Sequence, residues 1–100
     1  MAELYRRDYQ RRKRVMNLVL AAFRSRTEAL EFLEVLKRFG ISAQIVSTPR
    51  EVRVGCGLSV RFSFTALSRV KGLLMRTGAN SFAGFFAASG YGKNASYRPL

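Results

Sequence analysis

Twice along this chain apolar residues recur at helical spacing, and each time they are flanked by stretches in which they run together or alternate. In "SRTEALEFLEVLKRFG", residues 25–40, Ala29, Leu33 and Leu36 mark one face with Phe32 beside it, while Glu31 and Glu34 point outward. Ser25, with Glu28 three places on, forms a capping box, which supplies partners for the free N–H groups of a first helical turn. Lys37 and Arg38 suit the last turn, and Gly40 offers a left-handed stop. The second pattern, near residues 66–77, starts after Thr65, read as its cap. It places Leu67, Val70 and Leu74 inward and ends before Gly78.

The intervening stretches read as strands. "MNLVLAAF", residues 16–23, is an apolar run bounded by charge, as expected for a strand buried on both faces. "ISAQIVS", residues 41–47, alternates and stops before Pro49. "GLSVRFSF" sets Leu58, Val60, Phe62 and Phe64 on one face and Ser59, Arg61 and Ser63 on the other. "NSFAGFFAA", residues 80–88, supplies a fourth strand. The order predicts an α+β fold, a ferredoxin-like βαββαβ sandwich whose four-stranded antiparallel sheet carries both helices on one face. One hundred residues suffice for one core and not for two. The expected organisation is a basic, flexible arm at 1–15, a domain at 16–88 and a loose tail at 89–100, where periodicity is lost.

Charge is the compositional outlier. Eighteen basic residues face six acidic ones, a formal net charge of +12. Six of the basic residues, Arg6, Arg7, Arg11, Arg12, Lys13 and Arg14, crowd the first fifteen positions, and eight more follow Thr48 against the single acid Glu51. Such a surface draws polyanions, which makes the arm a candidate polyanion contact or a solubilising tail. The run from Val15 to Phe23 is too short to span a bilayer, and no small-residue cleavage site precedes the returning charge, so neither a membrane span nor a secretory signal is expected.

One cysteine and no histidine leave no internal disulfide, no soft-ligand metal site and no Cys–His catalytic pair. A lone thiol fits a reducing compartment, and the cytoplasm is the expected location. No cofactor is implied. Cys56 stands between Gly55 and Gly57, with Arg50 and Arg53 upstream and Arg61 downstream. A free thiol titrates at about 8.5, and nearby cations lower that value, so the local sign favours the thiolate. The glycines give access to the sulfur or shape a bulge. Cys56 is also in phase with Leu58, Val60 and Phe62, which suits a small buried residue, so packing and nucleophilic readings both stand.

The run "TPREVRVGCGLSVRF" resembles the selenium/sulfur (Se/S) carrier protein-like family of small one-cysteine bacterial domains. Pro49, Arg50, Val52, Cys56, Gly57, Arg61 and Phe62 carry the resemblance, which extends from about Met16 to Phe86. Gly55 stands where the family more often has serine, and the basic arm lies outside its pattern. The resemblance implies a carrier, rather than a stand-alone enzyme, in which Cys56 holds a sulfur or selenium atom as persulfide or perselenide. It implies a protein donor such as a cysteine desulfurase and an acceptor protein. Arg50 and Arg61 would stabilise the anionic sulfur, each contact worth about 1.5–3 kcal/mol if desolvated, while Pro49 and Gly55 shape the loop.

Two other functions remain open. The same element order serves RNA-recognition modules, but these need alternating aromatics on the third strand, where Cys56 and Leu58 stand. Non-specific RNA or DNA contact through the arm, with Tyr5 and Tyr9 available to stack, is the form that alternative takes. A non-catalytic interaction or regulatory module would instead pair copies into a homodimer through an apolar open sheet face, for which Val19, Phe23 and Phe85 are the candidates.

Overall fold

The computed structural model of the protein describes residues 18–52, 57–89 and 96–100. Strand β1, Leu18–Phe23, lies mid-sheet with Val19 through Phe23 buried, as a run apolar on both faces requires. Helix α1, Arg26–Arg38, starts at Ser25, whose Oγ accepts the Glu28 N–H at 3.2 Å. The Glu28 carboxylate serves a different partner. Its Oε1 accepts the Ser81 hydroxyl at 2.6 Å and the Ser81 N–H at 2.9 Å, tying the helix start to the chain just before β4. Those bonds, the side-chain one foremost, hold the Glu28 carboxyl below its ordinary range.

After β2, Ala43–Ser47, and β3, Leu58–Ser63, the chain departs from the expected cap at Thr65. Ser63 takes that role two residues early, accepting the Thr65 N–H at 3.2 Å and opening a short 3-10 turn at Phe64–Ala66. Phe64 therefore leaves the strand alternation and is half exposed. Helix α2, Leu67–Thr77, follows without a side-chain cap and ends on Gly78. It buries Val70 and Leu73.

The sheet runs β2-β3-β1-β4-β5, and every pair is antiparallel. Among the described residues the sheet has five strands, not the expected four. β5, Ser96–Pro99, pairs with β4, Phe82–Ser89, from Phe86 opposite Pro99 to Ser89 opposite Ser96. The loose-tail expectation thus fails at these residues. An edge strand held by backbone pairing needs no apolar alternation, and a proline is tolerated there.

One core joins both helices to one face of the sheet. Val19, Ala21, Phe23, Val60 and Phe62 meet Ala29, Phe32, Leu33 and Leu36 of α1 and Val70 and Leu73 of α2. Val19, Phe23 and Phe85, expected on the open face, belong to this core instead. A bulge brings two rings of β4 to this side. Ala22 pairs with Gly84 but Phe23 with Phe82, so Ala83 is an extra residue in β4. Phe82 and Phe85 then reach the same side, with ring centroids 4.7 Å apart, and Phe85 meets Phe62 edge-on at 6.1 Å. Gly84 takes φ 137° beside the bulge, a conformation that a side chain would strain.

Candidate functional site: the helix-free face and the base of the 48–57 loop

The alternation that turns Val19 and Ala21 toward the helices turns Leu20 and Ala22 away from them. Leu20 is nonetheless only 3% exposed, and Ala22, Ser59 and Ala88 are also buried. The cover begins where the chain leaves β2. Thr48 donates its N–H to the Gly57 carbonyl at 2.8 Å, closing the 48–57 loop at its base. Its hydroxyl lies 2.7 Å from the Ser59 hydroxyl, which folds the loop start over this face. Val52 then donates its N–H to the Pro49 carbonyl at 3.1 Å. The resulting turn leaves Arg50 and Glu51 exposed and tucks Val52 inward. Gly57 leaves the loop at φ 95°, a position open to glycine and strained for other residues.

Beside the loop base lies a cavity of about 140 Å³. Leu20 and Ala88 are its buried floor; Leu18, Val46, Ser47, Pro49, Arg61 and Tyr97 stand around it. The sheet register explains the assembly. Leu20 of β1 lies opposite Arg61 of β3, which lies opposite Gln44 of β2, and Ala88 of β4 lies opposite Tyr97 of β5. Arg61 donates to Gln44 Oε1, a neutral acceptor that orients the guanidinium without cancelling its charge.

Of the residues singled out from the sequence, Pro49 and Arg61 line this cavity, Arg50 lies on the adjoining turn and Gly57 closes the loop. Phe62 points into the helix-side core. Gly55 and Cys56 lie outside the described residues, as do Arg6, Arg7, Arg11, Arg12, Lys13 and Arg14 of the arm. Sequence reasoning missed Thr48, Ser59, Leu20, Ala88 and Tyr97. None of them left a signal there: Ser59 takes its place in an ordinary alternation with Arg61 and Ser63. A second cavity, of about 160 Å³, opens between the helices beside Glu28, Glu31 and Phe32. The Glu28 carboxylate there is already bonded to Ser81.

A family model described as "Putative Se/S carrier protein-like" matches residues 18–81, more than half of the chain. The chain belongs to this family. The Se/S carrier-like match runs from β1 to Ser81 and so includes the whole 48–57 loop with Cys56, together with Arg61. It stops short of β4 and β5, so Ala88 and Tyr97 are contributed by chain beyond the matched span. No curated protein and no solved structure matches the chain. Among the described residues, no helix is long and apolar enough to cross a membrane.

Proposed function

We propose that the protein carries sulfur or selenium on Cys56 and relays it between a donor and an acceptor protein in a reducing compartment such as the cytoplasm. The observation that carries this reading is the family match across the loop from Pro49 to Gly57. We read the fold as a ferredoxin-like sandwich extended by β5, since β2-β3-β1-β4 is the antiparallel order that such a sandwich produces.

The chemistry needs a thiolate and little else. The Cys56 sulfur attacks the terminal sulfur of a donor persulfide, such as that of a cysteine desulfurase. A new S–S bond forms on Cys56, the donor S–S bond breaks, and the donor leaves as a thiolate. Oxidation level is conserved over the exchange, so no external oxidant or reductant enters. An acceptor thiolate reverses the roles in the second half. Arg50, with Arg61 as a second cation in the free protein, raises the local positive potential and so the thiolate fraction at neutral pH. Pro49 and the Thr48–Gly57 closure limit the paths the loop can take.

The test is transfer from a cysteine desulfurase supplied with cysteine, read by intact mass. The protein is expected to gain one labile sulfur that a thiol reductant removes. Cys56→Ser is expected to gain none, and Arg50→Ala to load more slowly. Equal loading of Cys56→Ser would exclude the mechanism.

A further inference from the structure

The cavity on the helix-free face has a size, a lining and a charge that together describe an occupant. Resting on the carrier reading above, we propose that it docks one apolar side chain, followed by a carboxylate, from the acidic surface segment of the protein that exchanges sulfur or selenium with Cys56.

Size comes first. Pockets that enclose cofactors or drug-sized ligands measure about 300–1,000 Å³. At about 140 Å³ this one has room for a single side chain. Its buried members, Leu20 and Ala88, are apolar, and Tyr97, Val46 and Pro49 stand beside them, with Ser47 and Arg61 the polar part of the lining. An apolar side chain there exchanges water for packed carbon, and the aromatic wall adds contact at low entropy cost.

Charge sets the neighbouring residue. Among the described residues Arg61 is the charged group in the lining, and Gln44 orients it without neutralising it. A planar guanidinium accommodates a carboxylate with two parallel hydrogen bonds, and a lysine in the same place would meet a like charge. The net charge of +12 acts in the same direction at longer range, favouring encounter with acidic surfaces.

Position links the site to the carrier step. Pro49 stands at the cavity and belongs to the loop that Thr48 and Gly57 close, and Cys56 is the neighbour of Gly57 in that loop. A segment held in the cavity therefore brings its parent protein to the loop that bears the thiol. Ala88 and Tyr97 complete the cavity from outside the family-matched span, so partner choice is set here by β4 and β5.

The experiment titrates the full-length ¹⁵N-labelled protein with capped hexapeptides that carry Leu-Asp, Met-Asp, Leu-Ser or Leu-Lys at their centre. Leu-Asp or Met-Asp is expected to shift the amide signals of Leu20, Val46, Ala88 and Tyr97. Leu-Lys is expected to bind at least tenfold more weakly. Arg61→Gln should weaken Leu-Asp binding by roughly tenfold or more, the loss of one charge-assisted contact, and make Leu-Asp and Leu-Ser equivalent. Ala88→Leu, which fills the floor, should abolish the shifts; if that variant does not fold, Tyr97→Ala replaces it and should weaken them. Peptides that leave the cavity residues unshifted, or a Leu-Lys peptide that binds as tightly as Leu-Asp, overturn the proposal. Cys56→Ser, which cannot load sulfur, should dock the peptide unchanged. Docking without sulfur loading in the native protein would refute the carrier reading alone, and loading without docking would refute this inference alone.

Discussion

Replacing Thr48 with valine should cost the domain about 1–3 kcal/mol, nearly all of it felt at Ser59. The Ser59 side chain is 0% exposed, and its hydroxyl is bonded to Thr48 Oγ1 at 2.7 Å. Valine keeps the shape of threonine but offers no oxygen, so Ser59 would keep a buried hydroxyl that neither protein nor solvent satisfies. The reverse change is milder. Thr48 is half-buried, so after Ser59→Ala its hydroxyl can turn to water, at a cost of about 0.5–1.5 kcal/mol. With both partners apolar the penalty largely vanishes, and the double variant should be more stable than Thr48→Val alone. The coupling in such a cycle should reach about 1 kcal/mol or more. Urea unfolding reads it directly, since a small domain loses about 1–3 kcal/mol of stability per molar urea. The Thr48→Val midpoint should fall by roughly 1 M. The Thr48 amide, bonded to the Gly57 carbonyl, should also exchange its hydrogen faster. An unchanged midpoint, or costs that simply add in the double variant, would refute the view that this pair holds the loop to the sheet.

Gly84→Ala should lower stability by about 1–3 kcal/mol in a thermal melt, because φ is 137° and a new Cβ would sit 3.3 Å from the Phe86 ring; an unaltered Tm would contradict the bulge. Glu28 has a folded-state pKa below its ordinary 4.5, so its stabilising contribution is complete above that pH and is lost as pH falls through the lowered value. Glu28→Gln should therefore flatten the acid side of the stability profile, and an identical profile in the variant would count against the Ser81 contacts. Removing residues 1–15, with their six basic residues, should reduce retention on a polyanionic resin while leaving the Tm nearly unchanged, and a large fall in Tm would show that the arm packs.

Both helices are legible in the sequence because their signals are local. The Ser25 cap and the Ala29, Leu33, Leu36 stripe place α1 near residues 26–39, one residue beyond its observed end at Arg38, and Gly78 marks the end of α2. Burial of β1 on both faces follows from its unbroken apolar run. What stays hidden depends on pairing between distant residues. The bulge between the partners of Ala22 and Phe23 puts Phe82 on the same side as Phe85, and no local pattern announces an extra residue in "FAGFF". β5 is held by hydrogen bonds to β4, which any sequence can offer. The candidate site divides along the same line. Pro49 and Arg61 stand out by residue type and spacing, whereas Leu20, Ala88 and Tyr97 become neighbours only through the register of three strands. Thr48 and Ser59 are eleven positions apart, and their bond requires the loop to close first.

The central claim is that Cys56 is a nucleophile poised for transfer, and the pH dependence of its alkylation in the native protein tests it most directly. Iodoacetamide should react with the folded protein at a rate that rises with an apparent pKa below about 8.5, the value for a free thiol. Arg50→Ala should move that midpoint upward, because one cation that favours the thiolate is gone. A thiol that resists alkylation across this range, and reacts only once denaturant unfolds the chain, would make Cys56 a packing residue and leave the carrier without its nucleophile.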